Sequence, residues 1–190
     1  MTQTTKSEDR GVLENPLLME TRAIPTKLKG KVWKLPNNVN TESIMPTAAH
    51  MGGYSLEKLK AGMLDFYDPE FGPNLKTDDI IVGGTNFGCS SSRPAPIWLK
   101  RFGLGVVIAE SVSQIFFRNC LAFGLPVLVC PGITQHVNKG DTMEVDIETG
   151  IIKDVSNGRE FKATPLPKPL LDIVKTGNIV KLFKEEHRIQ

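Results

Sequence analysis

The chain has 190 residues, enough for one sizeable domain that buries about 70% of the surface its unfolded form exposes. Its 23 Lys and Arg nearly balance 21 Asp and Glu, for a formal net charge of +2, which argues against a dedicated nucleic-acid binder. No apolar run approaches the ~18 residues of a membrane span, and the first thirty residues lack the apolar core of a secretory signal.

Residues 1–29 are polar and mixed in charge, and Pro16 and Pro25 interrupt them, so they read as an extension. Residues 30–190 then read as one domain. Residues 31–35 alternate as a strand, stopped by Pro36. Residues 37–45 read as a polar loop, and residues 46–53 as a second loop with two adjacent glycines. Ser55 caps a helix expected to run to Phe66, because Leu56, Leu59, Met63 and Leu64 share one face at helical spacing. Pro69 and Pro73 mark a long connection.

The centre is the most informative stretch. Ile80, Ile81 and Val82 form a short apolar run before Gly83-Gly84, as expected of a buried strand. A helix over residues 95–102, stopped by Gly103, leads to a second buried strand over residues 106–109. Ser111 or Ser113 caps a helix running to about Phe123, and residues 127–129 form a third buried strand. This β-α-β-α-β order implies a parallel sheet with right-handed crossovers. Residues 143–147, 151–155 and 160–163 alternate around turns at Glu148-Thr149-Gly150 and Asn157-Gly158, which predicts a small antiparallel meander. Two short helices, near 168–176 and 178–186, close the chain. The whole reads as an α/β core with a β appendage packed on it.

The three cysteines, Cys89, Cys120 and Cys130, form no C-x-x-C pair and no His/Cys cluster. They read as free thiols of a reducing, cytoplasmic setting, and they are too few and too dispersed to hold a metal or an iron–sulfur cluster alone.

The loop over residues 83–94, GGTNFGCSSSRP, joins a buried strand to a helix N-terminus. Such a place offers free backbone N–H groups and the positive end of a helix dipole. Ser90, Ser91 and Ser92 add hydroxyls, and Arg93 adds a planar fork matched to a carboxylate or phosphate, so the loop describes an anion site. It is not a dinucleotide fingerprint, since Thr85 stands where the second glycine is needed. Nor is it a Walker loop, since Cys89 replaces the lysine, and the G-x-S-x-G nucleophile elbow is absent. A tight turn with a serine cap is the plain alternative.

The run from Gly84 to Arg93 resembles the N-F-G-C-G-S-S-R signature of the aconitase-type swivel domain, and in particular the isopropylmalate dehydratase small subunits. The resemblance continues through residues 107–111, 115–119, 124–127 and 140–141, and covers roughly Gly30 to Glu185. It departs at Ser90, where the family has glycine, and at Pro94-Ala95, where it has Glu-His. The family's D-x-D-T-D segment is here Asn38-Val39-Asn40-Thr41-Glu42.

The resemblance implies the swivelling β/β/α fold and a small subunit of a two-subunit hydro-lyase that dehydrates and rehydrates a 2-hydroxy dicarboxylate. The foremost substrate is 3-isopropylmalate. Another alkyl-substituted malate, such as a methylated one, is the alternative, and a non-catalytic anion-binding module is the alternative of another class. A [4Fe-4S] cluster, acting as Lewis acid on the leaving hydroxyl, is expected in a large partner subunit and not on this chain. Neither nucleic acid nor membrane is an expected partner.

By position, Ser91 becomes the general base, Arg93 the carboxylate clamp, and Ser92 and Ser90 further substrate contacts. Thr47, Ala48, Ala49, His50 and Met51 become a specificity loop. Residues 46–56 contain no lysine or arginine, so this loop favours an alkyl side group over a third carboxylate, which is costly to bury unpaired.

Overall fold

The computed structural model describes residues 22–45, 55–90 and 94–187. Seven strands form one sheet in the order β4-β3-β2-β1-β5-β6-β7. They are β1 (Lys27–Lys34), β2 (Ile80–Gly83), β3 (Val106–Ala109), β4 (Val127–Val129), β5 (Thr142–Asp146), β6 (Ile151–Asp154) and β7 (Arg159–Lys162). As expected, β2, β3 and β4 are parallel neighbours, Ile81 opposite Val107 and Ile108 opposite Leu128. The residues of β2 and β3 are all buried, as suits strands covered on both faces.

The meander is a continuation of this sheet and not an appendage. Strand β1 has eight residues, about 26 Å at ~3.3 Å each, long enough to serve two partners. Its first five residues pair antiparallel with β5, and its last three, Val32 to Lys34, pair parallel with β2. The strand therefore starts at Lys27, inside the stretch read as extension. Gly30 hid this, because it reads as a break. In the fold a Cβ at Gly30 would collide with the Asp78 carbonyl oxygen, so glycine is what lets the two backbones meet where β1 changes partner. The sheet also curls toward closure, since Thr164, just after β7, donates its N–H to Val129 of β4 at 3.0 Å.

The helices are α1 (Thr41–Ile44), α2 (Leu56–Ala61), α3 (Phe71–Asn74), α4 (Ala95–Arg101), α5 (Gln114–Ala122), α6 (Lys168–Thr176) and α7 (Ile179–His187). Ser55 and Ser113 cap α2 and α5 through their hydroxyls. Helix α1 lies in a stretch read as loop. One turn is too short to show periodicity, and it is held by the Asn40 side chain accepting from Ser43 N at 2.8 Å. Helix α2 stops at Ala61 rather than Phe66. Gly62 ends it, and Leu64, at φ +57, turns the chain so that Met63 and Leu64 enter the core outside the helix.

Helix α4 is buried along almost its whole length, and Lys100 near its end is only 1% exposed. Its Nζ donates to the carbonyls of Phe123 (2.9 Å) and Gly177, the residues that end α5 and α6. Burial first, then the charges of Arg22 and Lys181, pull its pKa down to about 7.

Candidate functional site

The loop after β2 sits at the carboxyl ends of the parallel strands, where open α/β sheets place their ligands. Phe87 anchors it. Its ring is fully buried, edge-on to Phe116 of α5 at 5.6 Å, and its N–H and C=O bond Ser111 O (3.0 Å) and Ser113 N (2.9 Å). Gly88 follows at φ +73, and a Cβ there would collide with Phe116, so the position requires glycine twice over. Its carbonyl accepts from Ser113 Oγ at 2.6 Å, which ties the loop to the cap of α5.

A second loop, after β1, is zipped onto the first. Asn38 N donates to Thr85 O (2.9 Å), and Gly88 N and Cys89 N both donate to Val39 O (2.8 and 3.2 Å). Thr41 N donates to Cys89 O at 3.1 Å, and Thr85 N to Asn37 Oδ1 at 2.8 Å. Asn86 Nδ2 donates to Asn38 Oδ1 at 2.9 Å, and Asn86 N to Ser111 Oγ at 2.8 Å. Three loop residues other than glycine, Asn38, Asn86 and Ser90, hold the left-handed conformation at φ +57, +55 and +75. Such strain gathers where a structure holds a functional geometry.

Of the residues singled out in sequence, Ser90 is exposed at the end of this loop. Ser91, Ser92 and Arg93 lie outside the described residues, as do Thr47, Ala48, Ala49, His50 and Met51. What is described is the chain on either side of residues 91–93: Ser90 before them and α4 after them. The first turn of α4 offers fewer donors than a helix start usually does, because Pro94 and Pro96 have no N–H. Cys89 is half-buried, its thiol donating to Asn38 O at 3.4 Å, which makes it a packed thiol. Arg118 is exposed on α5. His136 lies elsewhere, stacked on Phe161 and bonded to Arg159.

Residues not read as site residues in the sequence complete the frame: Asn37, Asn38, Ser111, Glu110 and Thr134. The Thr134 hydroxyl donates to Glu110, which joins the turn after β4 to the end of β3. Burial first, and then the Glu110 charge, raise the Cys130 thiol, and burial raises Cys120 further. Both remain protonated and inward, the opposite of ligand thiolates. Among the described residues no three His, Cys, Asp or Glu side chains are grouped to hold a metal. A depression of about 540 Å³ over β1, β5 and β6 is remote from the loop, and its Lys27 and Lys29 are paired with Asp146 and Glu144. No described helix is long and apolar enough to cross a membrane.

Residues 24–131 match the Aconitase C-terminal domain family. A 3-isopropylmalate dehydratase small subunit of Aquifex aeolicus is 44% identical over 84% of this chain and 96% of its own length. An isopropylmalate/citramalate isomerase small subunit of Methanocaldococcus jannaschii is 43% identical over 84% of this chain and 95% of its own. The crystal structure of a 3-isopropylmalate dehydratase from Methanocaldococcus jannaschii superposes with a TM-score of 0.77 at 30% identity, covering 86% of this chain and 97% of that one.

Proposed function

The chain belongs to the aconitase C-terminal domain family, among its isopropylmalate dehydratase small subunits, and on that premise we propose that it carries the proton-handling half of a site that isomerises 3-isopropylmalate by dehydration and rehydration. Its activity is that of a hydro-lyase subunit, and the reaction belongs to leucine biosynthesis in the cytoplasm. Hydro-lyases of this kind use a [4Fe-4S] cluster. We assign the cluster to a large partner subunit, because the described thiols here are dispersed and two of them are held protonated by burial.

This chain's part is to bind and to move a proton. Arg93 grips a substrate carboxylate through its two-pronged guanidinium and so orients the adjoining C–H. Ser91 takes that proton as general base. A serine needs its alkoxide held by donors and a neighbouring cation, and Arg93 two residues on supplies the cation. Ser90 and Ser92 line the same anion site. Thr47 to Met51 surround the substrate's side group.

The reading rests chiefly on the place of the loop. The described part of this loop, residues 84–90, lies within the stretch that matches the family and leaves the carboxyl edge of four parallel strands, pinned there by a second loop. A second reading, a methyl-substituted malate in the same site, is favoured by the Methanocaldococcus jannaschii relative, whose name includes citramalate beside isopropylmalate, and is compatible with the absence of Lys and Arg over residues 46–56. The test is coexpression with a cluster-bearing large subunit and a substrate panel of isopropyl, methyl and carboxymethyl malates. Turnover of the isopropyl compound supports the first reading, and preference for the methyl compound the second. A stable complex that turns over none of them refutes both.

A further inference from the structure

We infer, independently of how the loop after β2 is read, that Lys100 is a proton-sensitive latch for the C-terminal helix pair α6–α7, which docks over a neutral amine and loosens when that amine takes up a proton. The ground is the geometry around one buried nitrogen. Lys100 Nζ reaches two carbonyl oxygens, that of Phe123 at 2.9 Å and that of Gly177, and these residues end α5 and α6. The helices α4, α5 and α6 therefore meet at this atom. Gly124, at φ +65, lets them meet, since a Cβ there would lie 2.3 Å from Gly177 O and 3.0 Å from Lys100 Nζ.

An ammonium has one N–H more than a neutral amine. Among the described residues two carbonyls accept from Nζ, which matches the neutral form and leaves the charged form with a donor to spare in a site closed to water. The charges around it do not help the ammonium. Arg22, ahead of β1, and Lys181, on α7, both repel it, and the Asp78 carboxylate is paired with Arg22 at 2.8 Å. On α4 itself, the exposed Arg101 lies over the Trp98 ring. On α5 the titratable groups are the exposed Arg118 and the Cys120 thiol, which burial keeps protonated. On α6, Lys175 is paired with Glu148 at 3.0 Å, and Lys168 and Asp172 precede it. Lys184, Glu185, Glu186 and His187 are exposed on the far half of α7. The negative ends of α5 and α6 favour a cation, but burial outweighs them and brings the amine to about 7. The helix pair is otherwise lightly held: α6 buries Leu171, Ile173 and Val174, and α7 buries no side chain. Opening the pair returns the amine toward 10.5, so opening takes up a proton between these two values. It is favoured as pH falls toward 7 and is level below that.

Amide hydrogen exchange of the full-length chain tests the latch, because it reads local openings apart from global unfolding. Amides of residues 168–187 should exchange with a smaller urea dependence than those of β3, which open only when the whole fold does. Corrected for the intrinsic exchange rate, their protection should rise between pH 7 and 8.5 by at least about threefold, and by about fifteenfold if opening frees Lys100 completely. Lys100→Gln keeps two side-chain N–H donors and cannot take up the proton, so in it the rise should vanish. Lys181→Gln, an exposed change that removes one facing cation, should leave the fold intact and make the rise smaller. A wild-type rise below about threefold, or the same rise in Lys100→Gln, would overturn the inference. Exchange of residues 168–187 only together with β3 would overturn it too. If Lys100→Gln does not fold, an unchanged rise in Lys181→Gln overturns it instead.

Discussion

Lys100 makes the stability of this protein depend on pH in a way that one substitution should abolish. The side chain is 1% exposed, its ammonium held by the Phe123 and Gly177 carbonyls. Its pKa falls from 10.5 to about 7, through burial first and the nearby Arg22 and Lys181 charges second. Arg22 is itself paired with Asp78 at 2.8 Å, which leaves that carboxylate committed elsewhere. Between these two pKa values the unfolded chain holds a proton that the folded chain does not. Stability therefore rises with pH across the window and is flat in Lys100 below it, where the ammonium is charged in both states. The full slope is about 1.4 kcal/mol per pH unit. Between pH 7 and 8.5, allowing for half-protonation at the lower end, the gain comes to about 1.5 kcal/mol. The buried thiols act in the opposite sense, since Cys120 and Cys130 are raised above 9.0 and lose stability only as pH climbs past that value. The window below pH 8.5 is thus dominated by Lys100. Lys100→Met keeps the volume, removes the charge and leaves two carbonyls without this donor, so its stability at one pH mixes opposing effects of ~1–3 kcal/mol each. The slope does not mix them. Urea denaturation of wild type and Lys100→Met at pH 7.0, 7.75 and 8.5 should show the gain in wild type alone. Equal slopes in two folded proteins would refute the argument that this lysine sheds its proton near neutrality.

Gly88→Ala should destabilise the chain by about 2–5 kcal/mol, combining left-handed strain with overpacking against Phe116, and urea unfolding measures it. Ser91→Ala in the reconstituted enzyme should leave binding largely intact and lower kcat ~10²–10⁴-fold, as loss of a general base does. Arg93→Lys should raise KM as well, since an ammonium cannot reproduce the bidentate grip. A Ser92→Ala variant more damaging than Ser91→Ala would place the base one residue later. Ala49→Arg should shift the ratio of kcat/KM toward a substrate with an additional carboxylate and away from an alkyl malate. An unchanged ratio in an assembled enzyme would remove residues 47–51 from the pocket.

Much of the fold was legible because its signals are local. Three apolar runs bounded by glycine and proline predicted β2, β3 and β4 and their parallel order. Ser55 and Ser113 marked helix starts, and Asn157-Gly158 marked a turn in which Gly158 holds φ +74. The loop from Gly84 to Ser90 stood out as a strand-to-helix turn by its glycines and serine, and its resemblance to the family signature, more than its composition, set it apart from a plain capped turn.

What the tertiary structure decided is non-local. That one strand joins the parallel and antiparallel halves depends on β1 being long enough to reach both β2 and β5, while Gly30 within it reads as an interruption. The approach of Thr164 to Val129 depends on the accumulated curl of seven strands, to which no single segment testifies. Lys100 lies in the last turn of α4, where lysine is ordinary because it suits the helix dipole. Only the packing of α5 against α4, and the carbonyls that end α5 and α6, remove its ammonium from water. The Asn38–Asn86 pair spans 48 residues, and neither residue signals its partner. Periodicity, caps and turns report what a segment prefers, whereas burial, strand partnership and side-chain pairing arise only when distant segments share the same space.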